Sequence, residues 1–175
     1  MAVLCAWIGH LLARCSATLE FLSASDGDNR GSDAPRRRRS QPMTRPTFRH
    51  TLRVYWEDTD AGGVVFFANY LKFFERARTE WLRALGFSQE RLRTDTGAMF
   101  IVADTAVRYL SPARLDDELQ VTVHIVDAAR ASLHIEQEAW RHDRLLARGR
   151  IRIGCVDAGT FKPRRIPNEL LQAMP

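Results

Sequence analysis

The residues best equipped for chemistry lie within positions 57–70, in the stretch EDTDAGGVVFFANY. Three acids, Glu57, Asp58 and Asp60, crowd into four positions, and Gly62 and Gly63 follow. Glycines there permit positive φ and let another group approach the backbone closely. An apolar run then leads into a helical pattern, whose first turn presents unpaired N–H groups and the positive end of the helix dipole. A carboxylate facing such donors is the minimum equipment for attacking an activated carbonyl. The acid attacks or takes a proton from water, and the amides steady the oxyanion. Asp60, beside the glycines, is the leading candidate. The competing reading is an ordinary turn in which the aspartate caps local amides.

Elements on both sides must hold that turn. Upstream, TLRVYW alternates, with Leu52, Val54 and Trp56 on one side and Arg53 and Tyr55 on the other, the period of a strand. Downstream, NYLKFFERARTEWLRALG places Tyr70, Phe74, Ala77, Trp81 and Leu85 on one helical stripe. Lys72 with Glu75, and Arg76 with Glu80, are spaced to pair on its polar side. Gly86 is a natural stop. The spacing predicts a helix of about 17 residues from Asn69, roughly 25 Å long. Ser88 can cap a shorter helix in SQERLRTDTG. Extended runs follow at 100–110, 118–127, 132–141 and 145–156, with turn chemistry at SPARLDD, DAARA and HD, and PNELLQAM closes the chain as a brief helix. Short connections make consecutive strands antiparallel neighbours, and an apolar helix stripe must lie against a sheet. The expected fold is α+β: one long helix packed against an antiparallel sheet of about five strands.

The 175 residues, 45% of them hydrophobic, suffice for one domain with a core. Between residues 23 and 46 the composition shifts to Ser, Asp, Gly, Arg and Pro, too little apolar surface to offset ordering entropy. Residues 1–46 are therefore expected to be a disordered or non-native extension, with the folded domain at 47–175 and Met43 as a candidate start. The formal charge is +5, and residues 1–42 carry six Arg and four acids, leaving a net +3 for the rest. That balance lacks the concentrated basic face of nucleic-acid binding. Cys5, Cys15 and Cys155 are odd in number and form no CxxC pair, which argues against a disulfide framework or a zinc site and for a reducing cytoplasm. The apolar segment AVLCAWIGHLLA has no preceding Lys or Arg, and its length of about a dozen residues falls short of a membrane span. No histidine has a partner at metal-ligand spacing; His124 and His134 read as ordinary strand residues, and Cys155 as a small core residue.

One further feature is specific. RVYWEDTDAGGVVFFANYLKFFERARTEWLR, with YLSPARLDDEL and the closing KPRRIP, resembles the signature of the 4-hydroxybenzoyl-CoA thioesterase family and, within it, the Tol-Pal system-associated acyl-CoA thioesterases, over about residues 48–167. Arg53, Val54, Thr59, Asp60, Gly63, Val64 and Val65 fall where the family motif places them. The resemblance implies the hotdog fold, and hydrolysis of acyl-CoA thioesters without metal or cofactor. It also implies a homodimer or homotetramer with sites between subunits. It makes Asp60 the catalytic acid, as nucleophile or as general base toward water, and Phe67 the donor of a backbone N–H to the thioester carbonyl. Gly63 and Val64 would border the substrate. The loop with Arg130 and Ser132 would touch the CoA phosphates or pantetheine, for which arginine has the geometry. Glu75 matches a family position and reads as a helix ion-pair residue at the edge of the site. Many members of the subgroup carry His where this chain has Phe67, and Tyr where it has Phe66 and Trp56. A mechanism through an imidazole at position 67 is thus excluded, while one through Asp60 and main-chain donors survives.

The sequence leads to a cytoplasmic acyl-CoA thioesterase, with acyl carrier protein as a possible alternative donor, no nucleic-acid partner and no membrane span. Two rivals make different demands. A hotdog dehydratase needs a histidine working with the acid, and a non-catalytic acyl-carrier or Tol-Pal interaction module predicts binding without thiol release.

Overall fold

The apolar stripe of the long helix decides the architecture. In the computed structural model, which describes residues 47–174, α1 (Asn69–Ala84) buries Tyr70, Phe73, Phe74, Ala77, Trp81 and Leu82 on one face. Gly86, at φ 89, ends it in the left-handed conformation that glycine tolerates best. The buried face lies on a five-stranded antiparallel sheet of β1 (Phe48–Arg53), β2 (Ala98–Tyr109), β3 (Glu118–Ala128), β4 (Ser132–Arg141) and β5 (Arg144–Asp157), in the order β1-β3-β4-β5-β2. Leu119, Val121, Leu133, Ile135 and Ile151 supply the sheet's side of the core. Each such side chain, fully buried, contributes about 1.5 to 3 kcal/mol. α2 (Gln89–Thr96) is capped as expected by Ser88, whose hydroxyl accepts from the Arg91 N–H at 3.2 Å, and α3 (Asn168–Ala173) closes the described chain. The α+β expectation is borne out. Residues 1–46, with the apolar segment, the arginine run, Cys5 and Cys15, lie outside the described residues.

A polar latch joins helix to sheet. Gln137 of β4 is fully buried; its Nε2 donates to the Phe74 carbonyl at 3.0 Å and the Thr122 carbonyl at 3.3 Å, while its Oε1 accepts from Arg78 Nη1 at 2.7 Å. A buried amide so fully bonded fixes where α1 sits along β4.

Two local expectations need correction. Trp56 does not continue β1 inward: the strand ends at Arg53, and Trp56–Asp58 form a 3-10 turn that leaves Trp56 79% exposed. The cause is Asp58, whose side chain Oδ2 accepts from the Tyr55 N–H at 3.0 Å and bends the chain three residues early. On α1, Glu75 accepts from the Thr79 hydroxyl at 2.7 Å, and Glu80 pairs with Arg83 instead of Arg76.

Candidate active site

The three acids of the turn have different fates. Asp58 is sealed at 0% exposure, and its Oδ1 has no hydrogen-bonding partner among the described residues. A carboxyl buried in this way cannot reach a substrate. Asp60 is exposed. Its Oδ1 accepts from the Gly62 N–H at 2.8 Å, so one oxygen is orientated by the turn. A Cβ at Gly62 would come 3.1 Å from that same oxygen, and Gly63 stands at φ 70. The positive φ favours glycine at position 63, and a side chain at position 62 would crowd the Asp60 carboxylate. The Asp60 N–H donates to the Val64 carbonyl at 2.9 Å, and the Gly63 N–H to the Asp60 carbonyl at 3.0 Å. The capping reading and the chemical one are thus compatible, because one oxygen caps and the other is left for chemistry.

The helix start is tied to this turn through Phe66 and Asn69, and to Ala113 through Val65. The Phe66 N–H donates to the Asp58 carbonyl at 2.9 Å, and the Val65 N–H to the Ala113 carbonyl at 2.9 Å. Asn69, the first residue of α1 and only 6% exposed, donates from Nδ2 to the carbonyls of Asp58 at 3.0 Å and Glu57 at 3.3 Å. Position 68, just before the helix, is an alanine that offers no side-chain cap, and no acid follows in the first turn. Among the described residues no acceptor engages the Phe67 N–H. Its carbonyl, by contrast, accepts from the Tyr109 hydroxyl at 2.9 Å, which fixes the plane of the following peptide. An uncapped helix start with a free amide beside an exposed carboxylate is an anion site in waiting.

Tyr70 lies beneath, its hydroxyl accepting from the Ala113 N–H at 3.1 Å. Burial pushes its pKa above the ordinary phenol value and the Asp117 charge adds to this, against the Ala113 hydrogen bond. It stays neutral and serves packing. Cys155 is buried, and burial pushes its thiol up as well, consistent with a core residue. His134 sits on the surface, 3.6 Å from Asp127.

Arg130 and Ser132 are not brought to Asp60 within one chain. Arg53 and Glu118 are register partners, so β3 starts beside the turn and carries the chain away from it. Eleven strand residues advance roughly 35 Å, which puts the β3–β4 loop at the far end of the sheet. There Arg130 is exposed, and its carbonyl accepts from the Ile166 N–H at 2.8 Å. Sequence reasoning missed Asn69, Tyr109, and the inward turn of Asp58. The first carried one signal, a polar residue directly before the aromatic stripe; a hydroxyl 42 positions away from its acceptor carried none.

A long helix wrapped by a five-stranded antiparallel sheet, with an acid turn at the helix start, defines the class: a hotdog protein. The comparisons with known proteins narrow it. The thioesterase-like superfamily matches residues 54–174, and the chain belongs to that family. It is 43% identical over 126 residues to an acyl-CoA thioesterase, YbgC, of Haemophilus influenzae, covering 72% of this chain and 93% of that one. It is 42% identical over 130 residues to the acyl-CoA thioester hydrolase YbgC of Escherichia coli O157:H7, covering 74% and 96%. Among solved structures, a probable thioesterase from Bartonella henselae superposes with a TM-score of 0.66 at 32% identity, covering 70% of this chain and all of that one. These matches bear out the family, the subgroup and the hotdog fold expected from the sequence.

Proposed function

We propose that the protein hydrolyses acyl-CoA thioesters to the free acid and CoA, with Asp60 as the catalytic carboxylate and the Phe67 N–H as the donor to the thioester carbonyl. The single observation that carries this reading is the pairing of an exposed, turn-orientated Asp60 with an unengaged amide at an uncapped helix start. The free oxygen of Asp60 attacks the carbonyl carbon, or takes a proton from a water that does so. The carbonyl oxygen gains charge against the Phe67 amide and the helix dipole. The C–S bond then breaks. In the general-base route the CoA thiolate takes the water proton held by Asp60; in the nucleophilic route the thiolate takes a proton from solvent, and a water then hydrolyses the Asp60 acyl anhydride to the free acid and restores the carboxylate. Related proteins named for this activity support the substrate class.

A second copy of the chain is part of the reading. β1 and β2 are the sheet's edges, and β2 is twelve residues long. A long edge strand is a template for pairing with another chain. A homodimer, or a homotetramer built from it, would carry the Arg130–Ser132 loop of one subunit toward the Asp60 turn of the other. That gives the loop a place at the CoA phosphates, while Gly63 and Val64 border the carbonyl. No helix among the described residues is long and apolar enough to cross a membrane. A cytoplasmic location fits the free, buried thiol of Cys155. Acyl carrier protein would serve as an alternative donor of the same thioester. The domain doing this is 47–175, with residues 1–46 outside it.

Asp60→Asn tests the proposal. The side chain keeps its shape and loses its basicity, so thiol release from a panel of acyl-CoAs should fall at least a hundredfold. Hydrolysis near the parent rate would remove Asp60 from the mechanism. Binding without thiol release by both proteins would favour the interaction module.

A further inference from the structure

One face of α1 leads away from the Phe67 amide toward a cavity. Phe67, two residues ahead of α1, and Leu71, Glu75 and Arg78 on it follow at steps of four, four and three, the spacing that continues a single helix face. Phe67 is 60% exposed, Leu71 43%, and Glu75 is open to solvent as well. The line ends at a cavity of about 100 Å³ between α1 and the sheet. Its apolar wall is Trp81, Leu82, Phe100, Leu133, Ile135 and Ile153, and its polar rim is Glu75, Arg78 and Gln89.

The rim is already ordered. Gln89 Nε2 donates to the Thr79 hydroxyl at 2.6 Å, and that hydroxyl donates to Glu75 Oε1 at 2.7 Å. Arg78 is the unbalanced member. Its one hydrogen bond goes to the neutral Gln137 amide, and no carboxylate lies within ion-pair distance of it among the described residues. Burial pulls its pKa below the usual guanidinium value, with Glu75 opposing, yet an arginine stays charged. Of its five N–H donors one is used among the described residues. A part-buried cation with spare donors on an apolar cavity is matched by a ligand that brings an oxygen acceptor.

Helix geometry sets the reach. Arg78 lies eleven residues beyond Phe67, a rise of roughly 16 Å. An extended chain advances about 1.2 Å per bond, so the two points are joined by roughly thirteen bonds. We propose that this face of α1 is the acyl groove, and that its preferred substrates are thioesters of about twelve carbons whose far end carries a hydroxyl or a carboxylate held by Arg78. A hydroxyl accepts from the guanidinium and donates to Glu75; a carboxylate pairs with the guanidinium. The inference rests on the reading that the thioester carbonyl sits at the Phe67 amide.

The test uses the full-length protein and three CoA thioesters: dodecanoyl, ω-hydroxydodecanoyl and the mono-thioester of dodecanedioic acid. The expected result is a kcat/KM at least tenfold higher for one or both oxygen-ended thioesters than for the methyl-ended one, and which of the two leads identifies the terminal group. In Arg78→Met that ratio should fall to near one, while Arg78→Lys keeps part of it. Equal or better hydrolysis of the methyl-ended thioester by the parent protein overturns the proposal, as does a folded Arg78→Met that keeps the ratio. Should Arg78→Met lose its circular-dichroism melt, Leu71→Trp at its exposed site decides. It should cut the rate on ω-hydroxydodecanoyl-CoA at least tenfold relative to acetyl-CoA, and an unchanged ratio ends the idea. An error in the catalytic reading shows separately, because Asp60→Asn would then still hydrolyse all three thioesters.

Discussion

Asn69→Ala separates positioning from mere packing. The side chain is almost fully buried and spans the two halves of the site, from the first turn of α1 to the carbonyls of Asp58 and Glu57. Deleting its amide removes two hydrogen bonds worth about 1 kcal/mol each. The Asp58 carbonyl keeps the Phe66 N–H, which limits the penalty for unpaired groups. A total loss of about 1 to 3 kcal/mol follows, read by urea unfolding. The catalytic consequence is larger than the stability loss suggests. The acid turn and the Phe67 amide are then free to drift, and displacement by about 1 Å costs on the order of a hundredfold in rate. The expected pattern in a thiol-release assay is a kcat reduced about ten- to a hundredfold with KM changed less than about threefold. A protein destabilised by this amount but with unchanged kcat would refute the reasoning, since Asn69 would then be structural only. Asn69→Asp sharpens the point. It sets an acceptor against two carbonyl oxygens, so the charged form is disfavoured in the fold and the folded pKa rises above the unfolded value. The variant should therefore be most stable below about pH 4 and lose stability as pH rises above that.

Gln137→Leu strips the helix-to-sheet latch of two donated bonds and deprives Arg78 of its partner; chemical denaturation should show a loss of about 2 to 4 kcal/mol. Arg130→Glu should leave the melting temperature within a few degrees and raise KM for acyl-CoA by about tenfold, because the residue is exposed and its proposed partner is a phosphate; an unchanged KM would place CoA elsewhere. Burial raises the Cys155 thiol, so peptide-mapped alkylation of this residue at pH 8 should be slow in the native protein and fast in urea. By the same shift stability should decline above about pH 8.5, where the unfolded thiol ionises and the native one does not.

Periodicity made the fold legible. The α1 stripe and the five strands follow from 3.6- and 2-residue repeats. It failed at Trp56, where a local side-chain hydrogen bond from Asp58 outweighs the strand pattern. Asp60 and the glycines were visible as residue types at a fixed spacing. Their supports were not: Tyr109 reaches Phe67 from another strand, and Gln137 reaches Phe74 across 63 positions. Such contacts depend on register, which composition does not encode. The distance of Arg130 from Asp60 likewise emerges only once β3 is seen to run away from the turn.

The most direct test of the central claim is a crystal structure of the protein with an acyl-CoA analogue in which a methylene replaces the thioester sulfur. The account predicts the ketone oxygen at about 2.7 to 3.1 Å from the Phe67 nitrogen, with the free oxygen of Asp60 facing the carbonyl carbon. A ketone bound with the Phe67 amide unengaged and Asp60 pointing into solvent would contradict it.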